Sequence, residues 1–189
     1  PPTLIPIGFT APYAAPAGDI FITGATLLTM TRSAAIPGNT PAASREVVVK
    51  DGTVHISGNR IMAAGPAADI TIPSGAKVID ATGKFIMPGI IDVHAHGAQG
   101  ANGFTPQHNW INVANLAFGV TTIHDPSNDT ESIFAASELA KSGAILAPRI
   151  FSTGTILYGA AGSFKAEVDS LEDARSHLRR LKAVGVTPR

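Results

Sequence analysis

The sequence predicts an α/β protein in two parts, a small β-domain over residues 19–84 and parallel α/β architecture over residues 85–189. Short β-type runs separated by turn residues fill the first part. From Gly83 the pattern changes to strand and helix in alternation, as parallel sheets with crossover helices require. At 189 residues and 44% hydrophobic content, the chain can bury a real core as one ordinary domain or two small ones.

Residues 1–18 carry Pro1, Pro2, Pro6, Pro12 and Pro16 with Gly8 and Gly18, too much proline for a helix or central strand, and read as an extended linker or arm. β-type runs follow at 20–31, 45–50, 53–57, 60–63 and 77–80. Asp51-Gly52, between Val47-Val48-Val49 and Val54-His55-Ile56, is a hairpin signal because the favoured two-residue turns need positive φ; Gly58-Asn59 is a second. Residues 33–44, with Pro37-Gly38-Asn39 and Pro41, form a loop. The expectation for residues 19–84 is a small antiparallel β-domain.

Residues 85–96 make the first strand unit of the second part. Its Ile90-Ile91-Asp92-Val93 core is apolar on both faces apart from Asp92, as a buried parallel strand is. A helix over 107–118 takes its apolar surface from Trp110, Ile111, Ala114 and Leu116 to Phe118. Residues 119–124, rich in β-branched side chains, are the second strand. Asp129 or Thr130 caps a helix to about Ser142, with Ile133, Ala136, Leu139 and Ala140 at helical spacing and Gly143 just past its end. Residues 149–152 are the third strand. Ser170 caps the last helix, with Asp173 three residues on, and Leu171, Ala174, Leu178 and Leu181 form its buried stripe. A closed (β/α)8 TIM barrel takes ~250 residues. Three β/α units therefore predict a partial barrel whose inner face is exposed unless more chain covers it. The opening on Pro1-Pro2 rather than Met, and a close at residues 185–189 that reads as the approach to a new strand, predict a piece of a longer protein.

Charge and cysteine content narrow the chemistry. Fourteen Lys plus Arg balance fourteen Asp plus Glu, so no bulk field gathers nucleic acid or an anionic membrane surface, and neither partner is expected. No apolar run is long enough for a membrane span or a signal-peptide core. The absence of cysteine excludes disulfides, thiolate ligands and a cysteine nucleophile, and leaves localisation open. A Walker lysine, a suitably spaced Gly-x-Gly-x-x-Gly and a Gly-x-Ser-x-Gly elbow are all missing, which argues against phosphate-loop and serine-hydrolase chemistry.

The informative segment is Gly83-Lys84-Phe85-Ile86-Met87-Pro88-Gly89-Ile90-Ile91-Asp92-Val93-His94-Ala95-His96-Gly97. Side chains two apart on a strand point the same way, so Asp92, His94 and His96 share a face, with both imidazoles at the strand's C-terminal end, able to bind one ion together. Barrel active sites lie at those strand ends, and neutral imidazole is a common zinc ligand. Alone, two histidines at this spacing read more readily as solvated or core residues; the Pro88-Gly89 lead-in, Asp92 and the preceding β-pattern favour ligands. Asp92 is open to orienting a ligand histidine or to a buried structural hydrogen bond. His124 and Asp125, at the end of strand two, are open to a substrate or second-sphere role or to a place on the rim. The glycine-rich residues 97–103 form a loop over the site, and the loop from Tyr158 to Gly162 offers Tyr158 as a substrate contact. His108 reads as solvated, His55 as structural or exposed, and His177 carries no assigned function.

With these residues the sequence resembles the amidohydrolase superfamily, whose barrel opens with a Pro-Gly-hydrophobic-hydrophobic-Asp-x-His-x-His strand after a small β-sandwich. Ile22-Thr23-Gly24-Ala25-Thr26-Leu27-Leu28 looks like the first sandwich strand. The segment from Asp51-Gly52-Thr53 to Arg60-Ile61 looks like its central hairpin, and Val78-Ile79-Asp80-Ala81-Thr82-Gly83-Lys84 like its lead-in to the barrel. The likeness runs over residues 19–185. Asn115-Leu116-Ala117-Phe118-Gly119-Val120-Thr121-Thr122-Ile123-His124-Asp125-Pro126-Ser127 is most similar to the imidazolonepropionase and prolidase-like branch, some of it fused to a β-propeller, and the proline-rich start would suit such a linker.

The resemblance implies a mono- or binuclear centre for a divalent metal, zinc foremost, with His94 and His96 as its first ligands. A carboxylated Lys or a Glu from strand four, histidines from strands five and six, and a proton-shuttling Asp from strand eight would complete it. None of those strands is in this sequence, so no catalytic residue is assigned within it, and alone it is expected to be inactive. The implied reaction is hydrolysis of an amide or other carbon–nitrogen bond in a small cyclic or peptide-like substrate. The alternatives are a non-catalytic relative serving binding or assembly, or half of a split barrel whose remaining strands come from a partner chain.

Overall fold

The computed structural model describes residues 18–32, 46–101, 103–162 and 165–185. The predicted arm at 1–18 (all but its last residue), the loop at 33–44, Asn102 and the final residues 186–189 lie outside them. The chain divides into two compact units, Pro1–Pro88 and Gly89–Arg189.

In the first unit, β1 (Asp19–Arg32), β2 (Glu46–Ser57), β3 (Arg60–Pro66), β4 (Lys77–Asp80) and β5 (Phe85–Ile86) form one five-stranded sheet in the order β3-β2-β1-β4, with β5 also on β1. Phe21, Ala25 and Leu27 of β1 are buried; an irregularity between Ile22 and Ala25 breaks the simple alternation, so that Phe21 stacks on His55 while Ile22 shares the packing of Ala25 and Leu27. Ala25 and Leu27 pack with Val54 and Ala81, flanked by Ile22, Val49, Ile56 and Ile86.

Three expectations are corrected here. The sheet is mixed, not antiparallel: β4 and β5 both run parallel to β1. Phe85–Ile86 therefore belongs to this sheet and not to the first strand of the second unit. Asp51-Gly52 is not a hairpin, because β2 runs straight through it while pairing with β1 on both sides, from Val49↔Leu27 to Gly52↔Ala25. The positive φ that suggested a turn is present at Asp51, 48°, but it is spent on a bulge. Gly52 must lack a side chain there, since a Cβ would stand 2.3 Å from Leu27 Cγ. The true hairpin is at Gly58-Asn59, between Ser57 and its partner Arg60.

In the second unit, β6 (Ile90–Asp92), β7 (Val120–Asp125) and β8 (Arg149–Ser152) form a parallel sheet in sequence order, connected through α1 (Trp110–Ala117) and α2 (Thr130–Ser142). The core is Ile123 and Ile150 of the sheet against Ile133 and Ala136 of α2, with Ala95 and Ile145. Both ends of α2 are as expected. Asp129 accepts the Ser132 N–H, and Gly143 closes the helix at φ 78°. α1 starts later than residue 107, at Trp110, where Asn109 caps it by accepting the Ile111 N–H.

A two-stranded parallel sheet, β9 (Ile156–Tyr158) with β10 (Lys165–Glu167), and α3 (Leu171–Ala183) complete the unit. The Ser170-Asp173 cap is present, with Ser170 Oγ accepting the Asp173 N–H and donating to its carboxylate. The buried stripe on α3 is not: Leu171 and Leu178 are exposed. Trp110 on α1 and Phe118 just past its end are exposed too, at 77% and 84%, and so are Ile90, Ile91 and Val93. β6 pairs with β7 on one side only among the described residues, so its apolar run is an edge rather than a buried centre.

Candidate metal centre

β6 ends at Asp92, so His94 and His96 lie just beyond the strand and not on it. Asp92 Oδ1 accepts the His94 N–H at 3.0 Å, bending the chain out of the strand in a local turn. The Ala95 N–H reaches the His124 carbonyl at 3.0 Å, which holds this segment against the end of β7. The two imidazoles meet edge to face, ring centroids 4.9 Å apart.

His96 is half exposed, at 53%, yet its Nδ1 faces Asp125 Oδ1 at 3.2 Å, and Asp125 is 1% exposed. That carboxylate also accepts the Ser127 N–H at 2.9 Å and Asn128 Nδ2 at 2.7 Å. A carboxylate accepts and does not donate, so the hydrogen facing it must be on His96 Nδ1. In the neutral ring Nε2 then keeps its lone pair. An imidazole fixed through one nitrogen by a carboxylate is the usual arrangement of a metal-ligating histidine, so the donor set fits a divalent ion. Among the described residues, however, no group of three or more His, Cys, Asp or Glu side chains converges on one point.

The remaining candidates separate. His124 sits on β7 beside Phe151 of β8, and its Nε2 is buried without a hydrogen-bond partner among the described residues. Tyr158 ends β9 on the separate two-stranded sheet, its ring covered by Lys165 Nζ at 4.0 Å. His55 pairs with Asp19 at 3.0 Å and stacks on Phe21, while His177 donates to the Glu167 carbonyl. His108 is exposed.

Sequence reasoning missed the amides around the site. Asn128 Nδ2 bonds both Asp125 Oδ2, at 2.7 Å, and the Gly97 carbonyl, at 2.8 Å. Gln99 and Asn112, both buried, exchange hydrogen bonds at 2.9 and 3.4 Å, and Asn109 Nδ2 holds the Ala98 carbonyl at 2.8 Å. The signal available was the run Asp125-Pro126-Ser127-Asn128-Asp129, dense in side chains that bond neighbouring backbone.

Paired histidines thus stand at the C-terminal end of a parallel α/β sheet, one of them braced by a buried carboxylate. The chain is 33% identical over 147 residues to an imidazolonepropionase from Caulobacter vibrioides, covering 74% of this chain and 36% of that protein. It is 35% identical over 109 residues to an adenine deaminase from Paracoccus denitrificans, covering 57% of this chain and 15% of the other. A prolidase complexed with N-methylphosphonate-L-proline shares the fold at TM-score 0.62 and 23% identity, over 89% of this chain and 45% of that one. No protein-family model matches. The chain belongs to the amidohydrolase superfamily and spans about a third of the length of the curated relatives it matches most fully.

Proposed function

We propose that this chain supplies the opening of a metal-dependent hydrolase acting on carbon–nitrogen bonds, with His94 and His96 as its first two metal ligands. The observation that carries the reading is the edge-to-face pair of imidazoles 4.9 Å apart, with His96 Nδ1 held by Asp125. Imidazolonepropionase, deaminase and prolidase relatives support the bond type. When bound, a divalent ion, zinc foremost, supplies Lewis-acid polarisation of a carbonyl and an activated water. His94 and His96 hold it at the rim of the parallel sheet, and Asp125 keeps the His96 ring turned.

In this reading the sheet of the first unit is part of a small β-sandwich, and β6, β7 and β8 open a (β/α)8 barrel. The remaining ligands and the proton-shuttling Asp come from strands outside this sequence, in the same polypeptide or on a partner. That no third ligand converges among the described residues, and that the apolar run of β6 is exposed, both favour that completion. The substrate is a small cyclic amide or peptide-like molecule.

Zinc titration of the purified chain by calorimetry tests the ligands. Binding that is weak, as two ligands allow, and abolished in the His94→Ala/His96→Ala double variant is the expected result. Equal binding by wild type and double variant would sink the reading.

A further inference from the structure

We infer that Asn128 is a positioning residue that sets which nitrogen of His96 is presented to a metal ion. The inference deepens the ligand reading above and rests on it for the word metal, but not for the geometry.

Asn128 is 9% exposed, and both polar atoms of its side chain are engaged. Nδ2 donates to Asp125 Oδ2 at 2.7 Å and to the Gly97 carbonyl at 2.8 Å, while Oδ1 accepts the Asp129 N–H at 2.8 Å. The orientation of the amide follows from its partners. Rotating it by half a turn would set oxygen against a carboxylate and a carbonyl, and nitrogen against an N–H. One amide nitrogen thus ties together two objects that must keep a fixed separation: the carboxylate that faces His96, and the backbone immediately after His96. With Oδ2 taken by Asn128, Oδ1 is left for His96 Nδ1 and the Ser127 N–H. The consequence, for the neutral ring, is a His96 protonated on Nδ1 with its Nε2 lone pair free. A half-exposed histidine without this brace would mix both tautomers and turn about its side-chain bonds.

The Asn128→Ala variant removes both donors. Ser127→Ala is the control, because Ser127 bonds Asp125 through its backbone N–H, which the substitution keeps. Long-range proton–nitrogen NMR at pH 8.5, where an ordinary histidine is neutral, reads the tautomer in metal-free protein. In wild type and Ser127→Ala, His96 should carry its proton on Nδ1. In Asn128→Ala the two tautomers should mix, and zinc affinity should fall ~10-fold or more, the usual effect of removing an outer-sphere partner. A His96 tautomer unchanged in a folded Asn128→Ala protein overturns the inference. If that variant does not fold, the wild-type spectrum alone still decides, since a proton on Nε2 overturns it. If zinc never binds but the tautomer shifts as described, the positioning role stands and the ligand reading fails.

Discussion

Gly89 lies so close against Thr121 that a Cβ on the glycine would stand 2.1 Å from the threonine Oγ1 and 2.7 Å from its Cβ. The contact is between the lead-in to β6 and the strand beside it, and the Thr121 Cβ is fixed to backbone. Gly89→Ala must therefore push β6 away from β7, upstream of both histidines. Overpacking of this kind costs about 1–3 kcal/mol. Urea denaturation should show that loss, and Thr121→Gly in the same chain should recover part of it. An unchanged midpoint in Gly89→Ala would mean that the two strands separate freely.

The Gln99-Asn112 pair predicts an asymmetry. Each amide is buried and finds its partner in the other. Asn112→Ala leaves the Gln99 amide without a partner, at about 1–3 kcal/mol, whereas replacing both with leucine removes the need for either bond. The double variant should be more stable than Asn112→Ala. A double-mutant cycle with no coupling would contradict the pairing.

The fold was legible where the deciding interactions are local. Both ends of α2 lie in its own sequence, Asp129 at one and Gly143 at the other, and both are as read. Asp51-Gly52 and Gly58-Asn59 carry the same local signal, yet only the second turns the chain. The difference lies in β1, which pairs with β2 on both sides of Asp51, and no window around the dipeptide contains that partner. The apolar stripe of α3 and the apolar run of β6 were read correctly as patterns, but burial needs a facing element: Leu181 finds one beside Gly154 and is half-buried, whereas Leu171, Leu178, Ile90 and Ile91 stay exposed. The site divides in the same way. His94 and His96 were visible from spacing, while Asn128 was not, because an asparagine in a polar loop looks solvated until the end of β7 closes over it.

Asp80 gives a pH dependence with a definite sign. Hydrogen bonds from the Thr82 side chain and then from its backbone N–H hold the Asp80 carboxyl below the usual aspartate value. A group whose folded pKa is lowered stabilises the fold above its unfolded value, and loses that contribution as pH falls through the folded one. Wild type should melt above Asp80→Ala at pH 7, and the difference should shrink once the pH drops below ~4. Thermal melts at pH 7 and across the acid range check it, and a difference that grew towards acid would reverse the sign and refute the assignment.

The cap of α2 borders the site, which makes it a test of how far the two are coupled. Asp129 accepts the Ser132 N–H at 2.8 Å, and its own N–H is the donor to Asn128 Oδ1. Asp129→Ala removes the side-chain cap, at about 1 kcal/mol, but keeps the backbone N–H that steadies Asn128. Stability should fall by that amount while zinc binding and the His96 tautomer stay as in wild type. Asp129→Pro would remove the N–H as well, and proline's fixed φ of about −65° suits the −61° found here. If Asn128 is oriented by that N–H, the proline variant should disturb the His96 tautomer more than the alanine variant does. Equal tautomer mixtures in the two would show that the contacts to Asp125 and Gly97 hold Asn128 without help from the start of the helix.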